Sequence, residues 1–152
     1  MSSDLSEFEI TGVCKYVSRT VEMDVSSDDT NELSFQKAPE WKTITTMLKV
    51  VLDGEISLYS SYTEGVQRLF YENEDGTSQL IYKRYYVNEN KLQIATNQTF
   101  KGQMNVILNC DDSRALIEKA TYSEKSLFKV FKAFHECSNY DFKKFESVKS
   151  SG

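Results

Sequence analysis

The chain has 152 residues, 39% hydrophobic and 12% aromatic, which suits one globular domain with a core of its own and is too apolar for a disordered protein. A net charge of −5 and an isoelectric point near 5.0 weigh against nucleic acid, which selects a cationic footprint. No apolar run reaches membrane-spanning length, so no segment is expected to cross a bilayer as a helix.

Residues 1–7 read as a disordered start, polar and acidic from Met1-Ser2-Ser3-Asp4 and without a signal peptide. Such a start means cytoplasm for a full-length protein and carries no address for an excised domain. Phe8 to Val25 reads as strand, with Gly12 at a bulge or bend. Val13, Val17, Val21 and Val25 share one face of a period-two pattern, and that face is expected inward. Ser26 to Asn31 is a loop by composition, and Leu33-Ser34-Phe35 is a short strand or edge that Ala38-Pro39-Glu40 breaks.

Thr46 to Val87 organises the rest as two hairpins in succession. Met47 to Leu52 and Glu55 to Tyr59 flank Asp53-Gly54, a pair that predicts a two-residue type I′ turn because both central positions need positive φ. Arg68 to Tyr71 and Gln79 to Val87 flank a turn around Asp75-Gly76. The expected strands are 13–25, 44–52, 55–62, 67–73 and 79–87. Their apolar residues fall on both faces, so helices should cover one side and a strand or partner part of the other.

After Asn88-Glu89-Asn90 the period changes. Phe100, Met104, Ile107 and Leu108 mark one face of a helix near 98–109, which Asn97 or Thr96 can cap and Gly102 weakens. Asp112 or Ser113 can start a short helical turn carrying Leu116 and Ile117. A further helix near 122–136 opens on the capping box Thr121-Tyr122-Ser123-Glu124 and carries Leu127, Val130, Phe131 and Phe134 at helical spacing. Residues 141–152 read as a polar tail or linker. The class is therefore α+β: one domain over 8–140, an antiparallel β-meander sheet followed by two or three C-terminal helices.

Little in this pattern points to chemistry. His135 is the single histidine, and with no assigned thiol and orienting partner it reads as an exposed or partly covered helix-end residue. No Gly-rich phosphate loop, nucleophile elbow or metalloprotease helix is present, so no catalytic residue and no cofactor is assigned. Asp24, Ser26, Asp28, Asp29, Asn31 and Glu32 are rich in oxygen ligands. Counted from Asp24, however, the sixth and twelfth positions hold Asp29 and Phe35, where a calcium loop needs glycine and glutamate. Cys14, Cys110, His135 and Cys137 lack the close ligand pair of a zinc site. Tyr82-Lys83-Arg84-Tyr85-Tyr86 resembles single-strand binders in composition, but alternate side chains face opposite sides of a strand. Asn97-Gln98-Thr99 matches a glycosylation sequon and serves equally as a helix start.

The cysteines are more informative. Cys137 extends the Leu127, Val130, Phe134 stripe, and Cys110 closes the line Gln103, Val106, so both are expected to face the core at the ends of neighbouring helices. That placement fits either a bridge or two buried thiols packing as small hydrophobes.

Gly12 to Tyr16, Gly54 to Tyr59, Leu80 to Tyr85, Phe100 to Gln103, Leu108-Asn109-Cys110 and Tyr122 through Cys137 follow one another in a familiar order. Over about residues 8–140 the sequence resembles an uncharacterised family of secreted or envelope proteins from Bacteroidetes-type bacteria, some fused to an outer-membrane β-barrel. The resemblance implies an oxidising compartment, a Cys110–Cys137 disulfide with Cys14 free, and a periplasmic or envelope location. Relatives carry a signal peptide and upstream strands that are missing here, which suggests a trimmed domain, and serine is commoner at the position of Cys14. The expected function is that of a non-catalytic envelope domain binding another envelope component, most simply a protein that adds a strand to an exposed sheet edge. The alternative is a glycan- or small-molecule-binding module using Trp41, Tyr59 and Tyr62. A long bare edge would favour the first and contiguous exposed aromatics the second.

Overall fold

The computed structural model describes residues 7–10, 14–29, 32–63 and 65–145. The expected disordered start, apart from Glu7, lies outside the described residues, as do Gly12 and Val13. In sequence order the elements are β1 (Glu7–Ile10), β2 (Cys14–Asp24), β3 (Trp41–Gly54), β4 (Ser57–Thr63), β5 (Val66–Asn73), β6 (Gly76–Leu80), β7 (Lys83–Tyr86), β8 (Ile94–Asn97), α1 (Thr99–Ile107), α2 (Asp111–Lys119), α3 (Glu124–Cys137) and β9 (Phe142–Lys144). Strands β1 to β6 form one antiparallel meander, β9 pairs with β3, and β7–β8 form a separate two-stranded sheet. The class is α+β, a meander followed by three helices.

Several boundaries differ from the sequence expectation, each for a physical reason. The expected strand 8–25 is a hairpin, with Ile10 opposite Cys14. The expected strand 79–87 is interrupted at Ile81-Tyr82, because Ile81 N–H leaves the ladder and donates to Gln103 Oε1 at 2.8 Å. Gly76 has a φ of 123° and sits opposite Asn73, so the second hairpin turns on Glu74-Asp75. A further tight turn joins Thr63 to Val66 through Gly65, at a φ of 77°. Leu33-Ser34-Phe35 is not a strand, although Ser34 C=O accepts from Tyr86 N–H in an edge-like contact.

The Asp53-Gly54 turn is the larger correction. Both residues still belong to β3 and pair with β9, while the backbone reverses over Glu55-Ile56 and Leu52 faces Leu58. Gly54 does not have positive φ. A Cβ there would stand 2.7 Å from His135 Nε2, so glycine is needed for close approach, not for turn handedness. His135 itself is fully buried, against the expectation of an exposed helix end. Its Nδ1 lies 2.7 Å from Phe131 C=O and its Nε2 lies 3.3 Å from Ile56 N–H, so the neutral ring with the proton on Nδ1 satisfies both.

The meander has apolar side chains on both faces and therefore two cores. Against the helices lie Leu52, Leu58, Leu69 and Leu80, meeting Phe100, Met104, Ile117, Leu127, Val130, Phe131 and Phe134. Full burial of each such residue contributes about 1.5–3 kcal/mol. On the other face the sheet curls on itself, and Val17, Val21, Met23, Leu48, Val50, Tyr59, Phe70 and Phe145 close a second core. A register shift between Val50 and Leu52 lets Val50 enter one core while Val51 and Leu52 enter the other. Across the curl, Arg19 Nε donates to Glu72 Oε1 at 2.6 Å and Asp24 N–H to Gln79 Oε1 at 2.9 Å. The valine face of β2 is inward at Val17 and Val21, but Val25, past the strand, is exposed.

The expected polar tail enters the fold at its start. Phe142 to Lys144 form β9, and Phe145 is buried in the second core. Two phenylalanines in a charged segment give it enough apolar surface to dock.

The helices follow their stripes with shifted caps. Asn97 Oδ1 accepts from Thr99 N–H at 3.0 Å at the start of α1. The cap of α3 is Ser123, not Thr121, accepting from Ser126 N–H at 3.2 Å. Glu124, in the first turn, reaches the sheet at Lys49 Nζ (3.0 Å) and Ser60 Oγ (2.7 Å).

Cys110 and Cys137 lie at disulfide distance, with Cα atoms 6.6 Å apart, and Cys14 is a buried free thiol. Cys110 is buried in the helix-side core as expected, though as the N-cap of α2, whereas Cys137 is exposed, as is Val106 on the line thought to face the core. Among the described residues no helix is long and apolar enough to cross a membrane.

Candidate binding site

Residues 25–29 and 32–40 have no regular structure, yet polar groups strap them down. Asp24 Oδ1 accepts from Ser26 N–H and Glu40 N–H, both at 3.0 Å, which closes the base of the loop. Lys83 Nζ donates to Ala38 C=O at 2.6 Å and Asn97 Nδ2 to Lys37 C=O at 2.9 Å, tying the far side to the small sheet. Arg84 takes Asp28 with two groups, Nε to the carboxylate at 2.8 Å and Nη2 to the backbone C=O at 2.6 Å. The same hydrogen bond to Asp28 holds the Arg84 guanidinium above its ordinary pKa. These bonds make the loop a preformed wall. Asn97 is buried by its bond to Lys37, so the sequon is not presented for glycosylation in the folded protein.

Behind that wall lies a cavity of about 230 Å³, bordered by the 24–28 loop base, the β4–β5 turn and the start of β7. Its floor is Tyr82 stacked on Tyr122, ring centroids 4.9 Å apart and nearly parallel at 10°. Tyr122 spans two strands of the meander, accepting from Leu69 N–H and donating to Leu80 C=O, each at 2.6 Å. Burial pushes its phenol well up, so it stays neutral at ordinary pH. Tyr62 stands at the rim, 72% exposed.

Arg68 is the unusual member. It is only 8% exposed, and its Nη2 donates to Ser26 C=O at 2.9 Å. Among the described residues it makes no ion pair, and that carbonyl is the acceptor its guanidinium meets. A guanidinium has five N–H donors, and a buried one with most of them unmatched is costly unless something else meets it.

The aromatic candidates from the sequence do not come together. Trp41 borders a shallow groove with Glu22, Gln79 and Gln103, Tyr62 the Arg68 cavity, and Tyr59 a polar hollow inside the curl with Arg19 and Glu72. Tyr59 is buried, and burial together with Glu72 pushes its phenol up to about 12, which makes it a packing residue and not a contact surface. Arg68 was missed because arginine in a strand ordinarily points to solvent. What could have flagged it is its alternation with Phe70 on an inward face. Asp24, Asp28, Tyr82 and Arg84, each noticed for another chemistry, converge here although that chemistry does not.

Comparison with protein-family models, with curated proteins and with solved structures finds no match for this sequence.

Proposed function

We propose that the protein is a non-catalytic binding domain of the bacterial cell envelope, and that it holds a small polar ligand, a glycan unit, in the Arg68 cavity. The observation that carries this reading is a buried guanidinium that meets one backbone carbonyl among the described residues, in a cavity with an aromatic floor and an exposed aromatic rim. The disulfide-distance cysteines support an oxidising compartment, in keeping with the envelope resemblance. Strand addition is less well supported. β1 is four residues long, and Gln103 Nε2 covers the outer edge of β6 by donating to Gln79 C=O at 2.9 Å.

One observation favours a protein partner by another route. Phe35, Val87, Leu92 and Ile94 are exposed around the tip of the small sheet, where Phe35 packs on Tyr86. Amide-resolved NMR with a panel of mono- and disaccharides separates the readings. Shifts clustered at residues 24–28, 62–63, 65–68 and 82–84 are expected. A panel that leaves those amides unmoved, with a partner protein shifting only 34–35 and 86–94, would replace the glycan reading by the protein one.

A further inference from the structure

The Arg68 cavity carries a charge pattern that narrows its ligand, an inference that rests on the binding reading above. Among the described residues its lining holds three cations (Arg68, Lys83, Arg84) and two carboxylates (Asp24, Asp28), one positive charge in excess. Arg84 is committed to Asp28, while Lys83, itself buried, places its ammonium on Ala38 C=O and meets no other acceptor among the described residues. Asp24 directs Oδ1 to two backbone N–H groups at the loop base. Arg68 and Lys83 are thus both buried cations with donors to spare, and of the two Arg68 alone presents a planar fork.

A guanidinium matches a planar carboxylate with two parallel N–H···O bonds, an interaction that strengthens out of water. A monoanion would neutralise that single excess charge, whereas a doubly charged phosphate would leave the described lining with one negative charge over, so a monoanion fits better. The rest of the lining suits hydroxyl groups and a weakly apolar ring face. Asp28 is exposed and keeps a second carboxylate oxygen beyond the one Arg84 takes, and Tyr62 offers an exposed ring at the rim. The volume of about 230 Å³ lies below that of drug-sized pockets and is scaled to a single ring.

We propose that this cavity binds an acidic sugar of the uronate class, its carboxylate on the Arg68 guanidinium and its ring against Tyr62. The probes are glucuronate, glucose and acetate, titrated into the intact protein and read by amide NMR at residues 24–28 and 65–68. Glucuronate is expected to bind about tenfold or more tighter than glucose, and tighter than acetate. In Arg68→Lys the preference over glucose should fall about tenfold, since lysine keeps the charge and loses the fork. Because a buried substitution can perturb folding, Tyr62→Ala serves as a second variant at an exposed site. It should weaken glucuronate and leave acetate unchanged.

Equal binding of glucose and glucuronate would overturn the carboxylate inference and leave the glycan reading standing. Acetate as tight as glucuronate would overturn the sugar class. Silence of those amides to all three probes would overturn both this inference and the reading it rests on.

Discussion

At the scale of residues, the most informative contact is between Gly54 and His135. The ring fills the space where any larger residue 54 would place its Cβ, and its two nitrogens serve Phe131 C=O and Ile56 N–H. Removing the imidazole leaves a cavity and an unmatched buried N–H, so His135→Ala should cost about 2–4 kcal/mol in urea unfolding. The expectation from sequence was the neutrality of a surface substitution. Gly54→Ala alone should cost about 1–3 kcal/mol by overpacking. In the His135→Ala background most of that cost should vanish, since the clash has gone. Additive costs in the double mutant would show that the two residues do not meet. The burial of the single histidine was in fact legible, since His135 stands four residues past Phe131 and eight past Leu127 on the same helical stripe. It was missed because a place beside the helix end suggests exposure.

At the scale of elements, two long-range connections set the C-terminal third. β9 returns to pair with β3, and Phe145 enters the second core. Phe145→Ala should cost about 3 kcal/mol or more, where a free tail would lose nothing measurable. The cysteine pair closes a loop of sequence separation 27, and constraining such a loop in the unfolded state contributes about 3–4 kcal/mol on the entropy model. Under oxidising conditions, non-reducing peptide mapping should recover Cys110 joined to Cys137. Because Cys137 is exposed, reductant should open the bridge in the folded protein. The buried thiol of Cys14 should alkylate only once the protein unfolds. Recovery of Cys14 in a bridge would contradict both the fold and the pairing. The stripes Leu127, Val130, Phe131 and Phe134 were legible from spacing alone. The inward line through Val106 was not real, because α1 ends at Ile107 and its periodicity does not run on to Cys110.

At the scale of the whole molecule, one sheet shared by two cores should melt as a unit, and its buried phenols set an alkaline limit. Burial raises Tyr59 to about 12 and pushes Tyr122 up as well, above an ordinary value of 10.0 in the unfolded state. The unfolded state therefore binds fewer protons once pH passes about 10, so stability present below that value is lost as pH rises through the folded values. Tyr59→Phe should flatten that loss, read as midpoint denaturant concentration from pH 9 to 12; an unchanged slope would mean Tyr59 is not buried as described. Glu72 behaves oppositely. Burial raises it, but the hydrogen bonds from Arg19 and Thr77 outweigh that and hold it below its ordinary range. Its contribution is present above the unfolded value and lost as acid protonates it. By itself the sequence determined the α+β class, the meander and the amphipathic helices, and it placed Cys110 and Cys137 near the ends of neighbouring helices. All of these follow from local periodicity and turn chemistry. Only the tertiary structure decided the curl that makes a second core, the docking of Phe145, the seating of His135 over Gly54 and the cavity around Arg68. Each depends on residues dozens of positions apart meeting across a bend in the sheet, and pairwise spacing along the sequence holds no record of such meetings.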